Sequence, residues 1–217
     1  MKQANLGLIF FPAFDWMISP GHPERQERLL YTRDQLTEEG LFDRPEIREY
    51  RLRMAEINDL QRAHVGVPSI AKLITPAHLA SAGGCMTAAD AVMSGEVKRA
   101  FALVRPPGHH AMRIVHGIRG FCTINIEAVM VEYLRSRYGI KKLPLLIRTY
   151  TTATAARIFF TTIPTCFIFR SIRTGARCTR ARASRMKQAA RRRGAITSTC
   201  RFYQAAAIRK YTACLTG

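Results

Sequence analysis

The apolar positions of this chain fall into short continuous runs separated by stretches of helical spacing. Leu6 to Phe11 is an apolar run stopped by Pro12, which predicts a first strand. After it, Leu29, Leu30, Leu36 and Leu41 recur along one face and predict a helix. Pro23 suits the first turn of that helix, Glu24 and Glu27 favour its N-terminal dipole, and Gly40 can end it. Ala55 to Ala63 and Pro68 to Ile74 read as further helices, with Leu60, Ile70, Leu73 and Ile74 turned inward. Gly83-Gly84 punctuates the pattern, and Met86 to Met93 reads as a short helix ending near Gly95. Ala100 to Val104 predicts a buried strand. Ile126 to Tyr138 is a strongly amphipathic helix closed by Gly139, and Ile140 to Leu143 begins another strand. Strand, helix and strand joined by short connections make a βαβ unit, so the expected class is α/β, a parallel sheet flanked by helices.

In such sheets ligands bind beyond the carboxyl ends of the strands. The residues that leave the Ala100–Val104 strand at that end are Arg105-Pro106-Pro107-Gly108-His109-His110. The two prolines stiffen the segment and Gly108 permits a tight turn. Adjacent imidazoles held on a stiff loop suit general acid–base chemistry, which needs fixed geometry and a pKa near neutrality. Taken alone, the six residues are read equally well as a solvated loop that contains histidines. Their place at the end of a strand favours the site, with His109 and His110 as candidate catalytic residues.

Composition changes the picture after Pro144. The chain has 217 residues and is 47% hydrophobic, enough for one ordinary domain. No apolar run approaches the roughly 18–20 residues of a membrane span, and the N-terminus shows no secretory cleavage pattern. Six cysteines form no Cys-x-x-Cys pair, so the expectation is a reduced, cytoplasmic protein without membrane contact. The formal net charge is +19, but it is concentrated. Residues 1–144 carry 19 Lys and Arg against all 15 acids, whereas residues 145–217 carry 15 Lys and Arg and no acid or histidine. Acids make up about an eighth of an ordinary sequence. A stretch of 73 residues with none, more than half of it Arg, Ala and Thr, was composed under different rules. The expected division is a folded 1–144 followed by a poorly structured basic tail over 145–217.

Four segments of residues 1–144 resemble the histone deacetylase superfamily, which includes acetylpolyamine amidohydrolases. They are His22-Pro23-Glu24 with Arg28, the Gly83-Gly84 pair, Arg105 to Ala111, and Gly120-Phe121-Cys122 followed by Asn125. Gln26 stands where that family often has proline, and Ile126 where a second asparagine is common. The resemblance implies an arginase/deacetylase-like parallel sheet and a Zn2+-dependent hydrolase that removes acetyl groups from N-acetyl-lysine or a related acetylated amine. It implies that His109 and His110 are the catalytic proton-transfer pair. Phe121 would line the acyl channel with Gly120 beside it, while Arg28 and His22 would belong to the substrate rim or the loop below the metal. Cys122 is read as a packing residue rather than a nucleophile.

The family pattern then requires a zinc box of the form Asp-x-Asp-x-His-His-Gly-Asp-Gly, and the tail offers no Asp, Glu or His to supply it. No metal ligand is therefore assigned in this chain. A shift of reading frame accounts for the gap. Codons CTA TTG ATA CGG ACG TAC ACC ACG GCG ACG are permitted for Leu145 to Thr154. Read from the last base of the first codon, they spell Ile-Asp-Thr-Asp-Val-His-His-Gly-Asp followed by the start of a glycine codon. At the same offset Arg157 to Pro164 can give Asp-Ile-Phe-Tyr-His-Asp-Pro, and Ile172 to Ser184 can give Gln-Asp-Gly-Arg-Thr-Leu-Tyr-Pro-Gly-Thr-Gly-Phe. The resulting expectation is a truncated, inactive deacetylase whose tail is read out of frame.

Two other classes compete. One is a basic nucleic-acid-binding protein whose arm, with Arg180, Arg182 and Arg191-Arg192-Arg193, holds phosphates non-specifically through charge. The other is a non-catalytic pseudo-deacetylase that serves as an interaction module. Within the tail, Thr161 to Ile163 and Phe167 to Phe169 read as possible strands.

Overall fold

A computed structural model describes residues 4–11, 16–66, 71–115, 117–141, 143, 145–149 and 167–171. All of these lie in the first of the chain's two units, Met1–Ile172. The element order is β1 (Leu6–Phe10), α1 (Glu27–Glu38), β2 (Ile47–Tyr50), α2 (Ile57–Ala63), α3 (Pro76–Met93), β3 (Arg99–Leu103), α4 (Ile126–Tyr138), β4 (Leu145–Thr149) and β5 (Phe167–Ser171).

β1 is the centre of a three-stranded sheet of order β2-β1-β3. Both of its pairings are parallel, with Leu6 opposite Ile47 on one side and Arg99 on the other. Parallel strands need covering on both faces, which explains the apolar run of β1, with Leu8 and Ile9 fully buried. α3 packs against β1 and β3, and α4 packs in turn on α3 and α2. Ala82, Met86, Val129 and Val131 meet in a core with Leu60 and Ile124. Asp90 of α3 joins these helices, accepting hydrogen bonds from the Tyr133 and Tyr138 hydroxyls of α4 at 2.8 Å each.

α4 spans the residues its pattern predicts because both ends are capped in sequence. The Asn125 side chain accepts a hydrogen bond from Ala128 N, and Gly139 takes the left-handed conformation with φ 66°. β1, α2 and β3 also lie within a residue or two of expectation, while other segments differ. Pro23 and Glu24 lie outside α1, which begins only at Glu27, because the Glu24 side chain is drawn into the interior. Pro68 to Ile74 is not a helix where described: residues 71–73 form a single tight turn, Leu73 is exposed, Ile74 packs on the core, and Ile70 lies outside the described residues. β2 has only half-buried Ile47 and Tyr50 around two exposed charges, too weak a pattern to read as a strand.

Gly83-Gly84 does not interrupt the chain. One 18-residue helix, α3, runs through both glycines and includes Met86 to Met93. A Cβ on Gly83 would sit 1.8 Å from the Arg53 carbonyl oxygen, and one on Gly84 would sit 2.6 Å from Val104 Cγ1. The pair serves close packing against the β2–α2 connection and the end of β3, not a turn.

The strand expected from Ile140 begins instead at Leu145, and β4 pairs in parallel with β5 rather than with β3. Thus Phe167 to Phe169 is strand, while Thr161 to Ile163 lies outside the described residues. Ile147 is buried in the same core as α3 and α4. The first residues past Pro144 therefore continue the head's packing, as an apolar β-prone run does.

Candidate active site

The site grows from the carboxyl end of β3. Arg105 is 1% exposed and turns inward, donating from Nε to Glu24 Oε1 at 3.0 Å and from Nη2 to Glu24 Oε2 at 2.7 Å. The same Nη2 also donates to the Trp16 carbonyl at 2.9 Å. Glu24 is fully buried and additionally accepts from Arg28 Nη1 at 3.2 Å. This two-point, charge-assisted pairing anchors the Pro-Pro-Gly-His-His loop to the His22-Pro23-Glu24 loop. A second tie, from Ser81 Oγ to the Pro106 carbonyl at 2.8 Å, fastens the loop to α3.

At the end of this anchored loop the His109 and His110 rings lie with centroids 4.3 Å apart and tilted by 50°. Burial pushes the His109 imidazole down to about 4, with neighbouring His110 adding to the effect. His110 is also lowered, by burial first and then by the Arg119 guanidinium. Both rings are therefore neutral at pH 7 and able to accept a proton.

Gly120 and Phe121 occupy the centre of a tight antiparallel turn closed by Arg119 N to Cys122 O at 2.8 Å and Cys122 N to Arg119 O at 3.0 Å. Both central residues have positive φ, 50° for Gly120 and 76° for Phe121, as a type I′ turn requires. For phenylalanine that conformation is strained. The turn aims Phe121 at His22, with ring centroids 4.5 Å apart and nearly perpendicular. It also lays Gly120 flat on His110, where a Cβ would fall 2.7 Å from His110 Cδ2. His22 is held by accepting the Glu24 N–H on Nδ1 at 3.0 Å.

The structure thus brings together His22, His109, His110, Gly120 and Phe121. Arg28 stands aside as a partner of Glu24. Cys122 is buried and its thiol is pushed up to about 12 by burial, which suits packing and not nucleophilic attack. A groove of about 270 Å³ lies between Met112, Ile114, Val115, Ile118 and Arg119.

Sequence reasoning missed two residues that hold this region. Buried His64 accepts the Asn125 N–H on Nε2 at 2.9 Å and sets Nδ1 3.3 Å from the Arg113 carbonyl, joining the end of α2 to the site loop. Glu127 places an enclosed carboxyl oxygen beneath Gly108. Nothing in a lone histidine after a helix, or a glutamate in a first turn, distinguishes these roles in sequence.

The resemblance implies a zinc ion, which needs a cluster of His, Cys, Asp or Glu donors. Among the described residues no three His, Cys, Asp or Glu side chains gather as a metal site. The donor set does not fit, and no chemical step is derived through a metal. Among the described residues, too, no helix is long and apolar enough to cross a membrane.

Buried neutral histidines carry a pH signature. Burial lowers His78, which is 1% exposed, to about 4 and also lowers His64. A folded pKa below the unfolded value of about 6.5 means that protonation favours unfolding. The stability these rings contribute is complete above pH 6.5 and is lost as pH falls toward 4. For His78 the loss is about 3 kcal/mol. Urea denaturation at pH 7.5 and 4.5 checks it: the gap between the native chain and a His78→Gln variant shrinks by about that amount at the lower pH. A gap independent of pH would contradict this assignment.

The Histone deacetylase domain model matches residues 68–146. A probable deacetylase of Archaeoglobus fulgidus is 36% identical over 146 residues, 59% of this chain and 40% of that protein. The polyamine deacetylase HDAC10 of Rattus norvegicus is 38% identical over 63 residues, covering 29% of this chain and 10% of its own length. The crystal structure of the HDA15 HD domain superposes with a TM-score of 0.65 at 24% identity, over 77% of this chain and 53% of that one, so the fold is shared. The chain spans well under two thirds of these relatives, 40% of the archaeal protein. Residues 68–146 match part of the histone deacetylase domain, and the N-terminal part of the chain is similar to that superfamily.

Proposed function

We propose that residues 1–144 are the N-terminal part of a zinc-dependent deacetylase acting on N-acetyl-lysine or a related acetylated amine, and that the chain as it stands is not a hydrolase. The observation that carries this reading is the His109–His110 pair, neutral and held against Gly120 at the end of β3. In the intact relative a metal would polarise the acyl group and its attacking water. The part left to these residues is proton transfer: one imidazole accepts the water's proton and the pair returns one to the leaving amine. Phe121 and His22 form the apolar wall along which an acylated side chain lies. The names of the relatives, which include a polyamine deacetylase, support an acetylated amine as substrate class.

Residues 145–217 are an out-of-frame reading of the remainder of that domain. Supporting this are the absence of Asp, Glu and His from the tail and one constant offset that restores the zinc box. The burial of Ile147 reports only that Leu145-Leu146-Ile147 is apolar in the chain as it stands. The test is the encoding DNA. Its codons after Pro144 are expected to spell Asp-Thr-Asp-Val-His-His at the shifted offset; codons unable to do so would remove the frameshift.

A further inference from the structure

The segment that joins His110 to the Gly120–Phe121 turn carries, together with Val65, an exposed apolar face that proton transfer does not use. Val65, Ile114 and Ile118 are 54%, 55% and 51% exposed. They are not scattered. Val65 pairs with Ile114 in a parallel bridge, its N–H donating to the Arg113 carbonyl at 2.9 Å, and Ile114 and Ile118 line one groove. Aliphatic side chains grouped around a groove mark a binding surface, whereas single ones need no explanation. At about 270 Å³ the groove is smaller than the roughly 300–1,000 Å³ of small-molecule sites, so it suits side chains of a polypeptide laid across it.

The lining ties this groove to the histidine pair. Ala111 follows His110 in the chain, and Arg119 precedes Gly120, which lies on His110. Thr123 lines the groove too; it is fully buried, and its Oγ1 has no hydrogen-bond partner. A hydroxyl left unpaired beside a groove is a group that a polar ligand can satisfy. Arg119 is exposed and donates from Nη1 to Met112 Sδ at 2.8 Å, a neutral partner. Among the described residues no carboxylate pairs with it. Residues 111–124 hold Arg113 and Arg119 and no acid. The face is therefore aliphatic and cationic together.

We propose that Arg119 and the groove of Ile114 and Ile118, with Val65 beside it, hold an acidic, aliphatic stretch of peptide next to the acylated residue and so select the substrate. The inference deepens the deacetylase reading and rests on it, because it names which acylated amine the site takes. Charge chooses the occupant. An acetylated polyamine is cationic and is repelled by Arg119, and so are residues 145–217, with 15 Lys and Arg and no acid. Nucleic acid is drawn by the same charge, but its unpaired bases need aromatic rings to stack on. Phe121, the phenylalanine of this segment, is turned onto His22 instead. Glutamate or aspartate beside leucine- or valine-like side chains matches both the charge and the apolar part of the face.

The experiment is an NMR titration of the full chain at low salt, following the Ile114, Ile118 and Arg119 amides. The probes are an N-acetyl-lysine peptide flanked by glutamate and leucine, the same peptide with lysine for glutamate, and N-acetylspermidine. The acidic peptide is expected to shift these amides and to bind at least about tenfold more tightly than either cationic probe. In Arg119→Glu that preference is lost. Equal binding of the lysine-flanked peptide, unchanged binding in Arg119→Glu, or no shift at these amides would overturn the proposal. A single-stranded oligonucleotide that displaces the peptide at equal concentration would also overturn it, in favour of a phosphate-binding face. If the variant does not fold, the native chain still decides, since acidic-peptide binding that does not weaken between roughly 50 and 500 mM salt refutes the role of charge. A frame-restored chain without hydrolytic activity would remove the deacetylase reading and leave these binding results as measured. Absent or unselective binding beside an active restored chain would remove only this surface.

Discussion

Replacing Glu24 by glutamine lowers the stability of the chain by about 3–5 kcal/mol, because it strands a buried guanidinium. Glu24 is fully buried, Arg105 is 1% exposed, and two of their atoms meet at 3.0 and 2.7 Å. Exposed ion pairs such as Arg25–Glu27 contribute far less by comparison, since water screens them and their side chains lose freedom on pairing. The difference is the desolvation already incurred on folding, which the native pairing offsets and a lone charge does not. Urea denaturation measures the loss, and a double variant carrying Glu24→Leu and Arg105→Met separates the causes. Removing both charges costs less than the sum of the single changes, because neither is then left unpaired. A Glu24→Gln cost near that of a surface pair would show that the buried geometry is wrong. The effect reaches the site directly, since Arg105 is the residue from which the histidine loop departs.

The purified chain releases no acetate from an N-acetyl-lysine peptide, with or without added zinc. The same gene, given one extra base near codon 144 and read on to its own stop, hydrolyses the peptide in a zinc-dependent manner. The expected contrast is at least about a million-fold in rate, the low end of what enzymes achieve over the uncatalysed reaction. The reason is the donor set: the proposed restored reading would supply the aspartates and histidines that residues 145–217 lack, and a metal centre needs such ligands. Robust hydrolysis by the unaltered chain would sink the proposal, and an inactive, well-folded restored chain would sink the frameshift.

Much of this molecule was legible in its residues, and unevenly so. α4 spans the residues its pattern predicts because Asn125 and Gly139 close it locally, by a side-chain cap and a left-handed residue. β1 was legible because a strand buried on both faces must be apolar throughout. β2 was not, since a short edge strand with exposed Arg48 and Glu49 carries no such requirement. Gly83-Gly84 misled for a different reason. Glycine in sequence signals conformational freedom, whereas here it signals a missing Cβ, and only the Arg53 carbonyl 1.8 Å from that Cβ position tells the two apart.

The same division holds at the site. Sequence alone determined the α/β class, the deacetylase-like segments, the histidine pair at a strand end, and the loss of acids and histidines after Pro144. Each of these is a local pattern, readable within a dozen neighbouring residues. Only the tertiary structure decided that Glu24 leaves its helix to bind Arg105, 81 positions away. It alone decided that Gly120 lies on His110, that His64 ties α2 to the site loop, and that Glu127 Oε2 is enclosed beside Gly108. These are contacts between residues that close packing brings together, and their energies come from burial, which no single segment possesses until the fold is made.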